Sequence, residues 1–192
     1  ERLAHLADAQ QKNAAAISKT KAQLAGTIGV ISAVGAAIYA GPVQQSIKFQ
    51  SSMAKVGTIA DTAALPLNAL QKDIVSLSNE IGVNANDIAE DVYNAISAGQ
   101  KTEDAVGFVG QAVKLAKGGF AETGQALDVM TTILNAYGKE SSEAGAVADM
   151  LIQTQNKGKV TVAELSSVMG KIIPTANANN VALEQLCAGY AI

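Results

Sequence analysis

Apolar residues recur along this chain in two rhythms. Leu3, Ile17, Leu24, Ile31 and Ile38 fall on a seven-residue spacing that only Gln10 interrupts, and Val34 joins the stripe at a three-residue offset. That spacing predicts one helix from about Leu3 to Ala40, stopped by Gly41-Pro42. The partner positions Asn13, Thr20 and Thr27 are polar, which weakens a coiled-coil seam. Val43, Ile47, Gln50 and Ala54 then predict a short helix ending near Gly57, and Asp61 to Pro66 reads as a loop. Next, Leu67, Leu70, Ile74, Leu77 and Ile81 alternate by three and four, which is one apolar face of a helix. Pro66 at the first helical position and Gly82 just past the end complete that helix.

Glycines punctuate the remainder every nineteen or twenty residues, at Gly99, Gly119, Gly138 and Gly158. Each interval fits one helix of about fifteen residues and its cap. Starts are marked as well. Asn84 with Asp87 resembles a capping pair, Thr161 to Glu164 reads as a capping box, and Thr102 and Ser142 precede acidic residues in first turns. Similar segments open at Gly82, Gly119 and Gly158, 37 and 39 residues apart, and a fourth follows Asn180. Stacked helix pairs would produce this pattern, and so would an ordinary bundle of similar helix lengths. The expected fold class is all-α: a long N-terminal helix followed by stacked helical hairpins, as a bundle or an α-solenoid-like stack.

Composition agrees with helices. The chain is 48% hydrophobic but only 4% aromatic, with three prolines and no Trp, so its apolar content is mostly Ala, Val, Ile and Leu. A net charge of −3 with no basic block argues against nucleic-acid binding. The single cysteine, Cys187, excludes an intramolecular disulfide, and its stripe with Leu183 and Leu186 makes it a packed core thiol. The single histidine, His5, excludes a His-based metal cluster or triad within this chain. The pairs Glu90-Asp91 and Glu103-Asp104 read as solvated or capping groups, and Gly107 to Gly119 lacks Walker spacing and a preceding strand. Gln155 to Lys159 reads as a basic surface turn, and Tyr93, Tyr137 and Tyr190 as late-helix packing residues. No catalytic residue, cofactor or metal site is expected, and the chain does not read as an enzyme. It lacks an initiator Met and stops on Leu186 to Ile192, within an apolar helical pattern, so it reads as a fragment of a longer protein.

The segment Gly29 to Gly41, GVISAVGAAIYAG, carries no charge and little bulk. Gly29, Ala33, Ala37 and Gly41 recur every four residues, roughly opposite the stripe of Leu24, Ile31 and Ile38. Small residues in that register let two helix backbones approach closely. The 26 uncharged residues from Ala22 to Ile47 would also span about 39 Å as a helix, against ~30 Å of hydrocarbon. Seven strong apolar residues there give about −2 to −4 kcal/mol of insertion energy, opposed by glycines and Pro42, so insertion is marginal for a single helix. A helix–helix seam and a membrane span at Leu24 to Val43 both stay open, and self-association is expected.

Several phrases in order resemble the phage tail tape measure proteins, in the core region found in lactococcal-type siphophages and prophages. They are FQSSMAKVGTIAD from Phe49, AISAG from Ala95, AVKLAKGGFAET from Ala112, DVMTTILNAYG from Asp128, LIQTQNKGKVTVAELSSVMGKIIPTA from Leu151, and LCAGYAI at the end. The resemblance implies a virion protein in the lumen of the tail tube, whose full length sets tail length and which leaves ahead of the DNA. It implies partners among tail tube, tail assembly chaperone and baseplate or tail-tip proteins, and copies of itself. It also allows an alternative, a membrane-inserting helical channel in the host inner membrane. On this reading residues 1–41 form the long helix, 42–66 a connecting helix and loop, and 67–192 a helical-hairpin core truncated at its C-terminal end.

Overall fold

A computed structural model describes residues 44–191. These fold into eight α-helices: α1 (Gln44–Gly57), α2 (Leu67–Ile81), α3 (Ala85–Ser97), α4 (Thr102–Gly118), α5 (Thr123–Tyr137), α6 (Ala144–Lys157), α7 (Val162–Ala178) and α8 (Leu183–Tyr190), with one 3₁₀ turn at Ser141–Glu143. From Phe49 onward they form one compact unit. The expected long N-terminal helix and the stripes on it lie outside the described residues.

Each helix is set by its apolar spacing and its ends. In α2, Leu70 and Ile74 are buried and Leu67, Leu77 and Ile81 pack at the rim of the core. Pro66 stands just before the helix rather than within it, and Gly82 closes it at φ 65, the left-handed conformation that glycine adopts without a Cβ penalty. Gly119, Gly138 and Gly158 each occupy the position after a helix, and Gly99 follows Ala98 at the end of α3. At the start of α7 the capping box forms in full: Thr161 Oγ1 accepts from Glu164 N–H at 3.2 Å, and Glu164 accepts from Thr161 N–H at 2.8 Å.

Three expectations differ from the structure. The buried stripe of α1 is Ser52, Met53 and Val56, while Ile47, Gln50 and Ala54 are exposed. The helix does end at Gly57 as expected, but a polar Ser completes its buried face, which the spacing of Ile47, Gln50 and Ala54 does not report. Asn84 does cap α3, but its side chain accepts from Asn86 N–H, with no reciprocal bond from Asp87. The pair Glu90-Asp91, expected as solvated or capping groups, lies within α3, where Glu90 is exposed but Asp91 is half-buried.

The helices stack as two interleaved layers. Every substantial contact joins helices one or two apart in the chain, and the most extensive is between α5 and α7. Helices two apart run parallel. Ser166 Oγ, early in α7, donates to Gln125 O, early in α5, and Asn177 Nδ2, late in α7, donates to Ala136 O, late in α5. With short connections, consecutive helices therefore run antiparallel as hairpins. In the middle of the stack α5 is covered on both flanks, and Met130, Ile133 and Leu134 are fully buried. Each such side chain contributes about 1.5–3 kcal/mol relative to exposure.

Candidate interaction surface

The repeat is stitched by polar bonds of similar sequence separation, four of them alike. Asp61 N–H donates to Thr102 Oγ1, Ser141 Oγ to Gln100 Oε1, Ser166 Oγ to Gln125 O and Asn177 Nδ2 to Ala136 O, all 41 residues apart. Asn135 Nδ2 donates to Ala98 O and Lys117 Nζ to Ile81 O at separations of 37 and 36. Last-turn carbonyls lack partners within their own helix. Asn135, Asn177 and Lys117 satisfy such carbonyls at the end of the helix two places back. Tyr137 reaches forward in the same way, its hydroxyl donating to Val181 O at 3.0 Å.

Reactive side chains are spread through this lattice rather than gathered. Among the described residues no group of three or more His, Cys, Asp and Glu is placed to hold a metal ion. Cys187 is buried in α8, and burial pushes its thiol pKa up, away from a reactive thiolate. Glu103 and Asp104 lie in the first turn of α4, where carboxylates complement the helix dipole. The segment from Gly107 to Gly118 is α4 itself, with no phosphate-binding loop. At the basic turn, Gln155 Oε1 accepts from Val162 N–H at 2.8 Å, tying α6 to the start of α7. His5 lies outside the described residues, as do Leu24, Gly29, Ile31, Ala33, Ala37, Ile38 and Gly41.

Asp91 departs from its usual chemistry. It is half-buried on α3, and burial, with Asp87 and Glu90 as like-charged neighbours, pushes its pKa to about 6. Near it a cleft of about 370 Å³ opens between α1 and α3, lined by Ser52, Lys55, Glu90, Tyr93 and Asn94. A second cleft, about 420 Å³, lies along α6 and α8 beside Asp149, Met150, Lys157, Glu184 and Cys187. Both are open surface grooves with mixed lining.

One apolar residue stands apart. Phe120 is 85% exposed and has φ 51, a left-handed backbone that bulky side chains avoid. It follows Gly119 in the α4–α5 turn; the α2–α3 and α7–α8 turns place Gly82 (φ 65) and Asn180 (φ 57), residues suited to that conformation, at the matching point. Sequence pattern had singled out neither Phe120 nor Asp91 as unusual, because each depends on backbone angle or burial. Among the described residues no helix is long and apolar enough to cross a membrane. The segment Leu24 to Val43, for which a seam and a span both stay open, lies outside them.

Residues 71–192 match the family model described as phage-related minor tail protein. The chain is 33% identical over 171 residues to a probable tape measure protein of Clostridium phage phiCD119, covering 87% of this chain and 18% of that protein. It is 23% identical over 153 residues to the tape measure protein of Pneumococcus phage Dp-1, covering 80% of this chain and 13% of that protein. The chain thus spans less than a fifth of the length of the curated relatives it matches. No solved structure matches it.

Proposed function

The chain belongs to the phage-related minor tail protein family, and from that membership we propose that it is a helical module of a tape measure protein. The observation that carries the reading is the alignment of most of this chain, at 33% identity, with a protein named for that role. The whole protein would set tail length from the lumen of the tube, with tail tube, assembly chaperone and baseplate or tail-tip proteins as its partners. Such work needs surfaces and length rather than a reaction centre, and a stack of helix pairs supplies both. No observation favours a membrane channel over this role.

An in-frame deletion of one helix pair in the phage gene, residues 119–158, tests the proposal by electron microscopy of tails. Shorter tails are expected. As extended helix the lost segment would remove about 60 Å at ~1.5 Å per residue. As one stacked pair it would remove only ~10 Å, the spacing of packed helices. Tails of unchanged length with normal assembly would overturn the ruler role for this segment.

A further inference from the structure

Among the described residues, five turns bend left-handed at the same point, two residues before the N-cap of the next helical segment. The residues there are Gly82, Gly99, Phe120, Gly138 and Asn180. Glycine and asparagine take that conformation at little cost, and Phe120 is the one bulky residue among them. Gly119 cannot take its place in the turn. Its own φ is −97, and a Cβ there would meet Val162 of α7 at 2.3 Å, so its lack of a side chain serves the close approach of α7. This accounts for the backbone at Phe120 but not for its ring. Such turns close over an apolar contact from the residue after the left-handed one. Here Ala121 makes it, packed against the core with its N–H donating to Ala116 O at 3.0 Å. The ring of Phe120 takes no part and is 85% exposed.

We propose that Phe120 is a docking anchor, which the α4–α5 turn holds out for an apolar pocket on a partner protein. Backbone strain that the fold does not use is characteristic of binding sites. The ring is also pre-positioned. The Ala121 bond fixes the turn on one side, and Glu122 N–H, donating to Gln125 Oε1 at 3.0 Å, fixes it on the other, so little freedom is lost on docking. Aromatic side chains presented in this way fill pockets at the centres of interfaces. The surrounding charges fit a protein rather than a lipid surface. On this edge of the stack Lys117 and Lys159 are balanced by Glu122 and Glu164, all exposed, whereas an anionic membrane needs a basic rim. A second copy of the chain offers no match, since the clefts of about 320 to 460 Å³ among the described residues all carry charged side chains.

The test uses the full-length protein in phage-producing cells and does not depend on a tail-length role. A photoreactive benzoylphenylalanine is placed at Phe120 or, as the exposed control, at Lys114 of α4. After irradiation, one protein should be joined to the Phe120 position through apolar residues, about tenfold or more above the Lys114 control. Without irradiation, the same protein should co-purify about tenfold less with Phe120→Gly, the loss expected for one buried ring, and within about threefold of the parent with Phe120→Leu. Phe120→Gly should stay folded in urea denaturation, because it relieves the turn, so the loss reads docking and not folding. Photoproducts with phospholipid, within this chain or with a second copy of it would overturn the proposal, and so would none above the control. Undiminished co-purification with Phe120→Gly would overturn it as well, because the ring would not be the anchor.

Discussion

Two residues carry costs that the fold does not recover. Phe120 holds a left-handed backbone at about 1–2 kcal/mol while its ring sits in water. Phe120→Gly should therefore raise stability by about 1 kcal/mol in urea denaturation, the loss of strain exceeding the added freedom of the unfolded chain. A fall in stability would mean that the ring packs on something. Asp91 is the second. Its folded pKa, about 6, lies above its unfolded value of 3.8, so the folded state binds the proton more tightly. Its favourable contribution is full below pH 3.8 and is lost as pH rises through 6. Asp91→Asn should stabilise the protein at pH 7 by about 1 kcal/mol, after discount for solvent screening, and flatten the stability profile between pH 4 and 6. Glu164 has the opposite sign: bonds from Thr161 lower its pKa, so its contribution is present at neutral pH and fades in acid.

At the scale of elements, the helix ends show why the sequence was partly readable. Gly99, Gly119, Gly138 and Gly158 mark helix ends because chain reversal there depends on local backbone chemistry, which is written in adjacent residues. The box from Thr161 to Glu164 was legible for the same reason. The face of α1 was not, because Ser52 is buried by its neighbours and no local rule reports that. Nor was the two-sided burial of α5, whose flanks are covered by helices some forty residues away. The candidate surface was less legible still, since the 41-residue bonds join ordinary Asn, Ser and Thr residues with no motif of their own. Gly158 makes the coupling between elements testable. Its backbone is extended, at φ −91, and a Cβ would meet Tyr190 O at 2.4 Å. Gly158→Ala should push α8 outward at a cost of about 1–3 kcal/mol, as overpacking does. Amide hydrogen exchange should quicken across Leu183–Tyr190 while α5 keeps its protection; equal protection of α8 would contradict the close approach.

On the scale of the whole molecule, the substantial helix contacts among the described residues join neighbours one or two places apart, and none of them joins the two ends of the stack. Stability then resides in successive interfaces rather than in one centre. Drawn from its two ends, such a stack has no single seal to break. It should yield pair by pair, each step releasing the roughly 41 residues between one set of stitching bonds and the next. In an optical trap this predicts a sawtooth with increments of about 150 Å of contour, at ~3.6 Å per residue. One rip releasing the whole unit would show that the interfaces fail together. A protein that surrenders its length in equal instalments can pass through an opening narrower than its folded width, at a force set by one interface at a time.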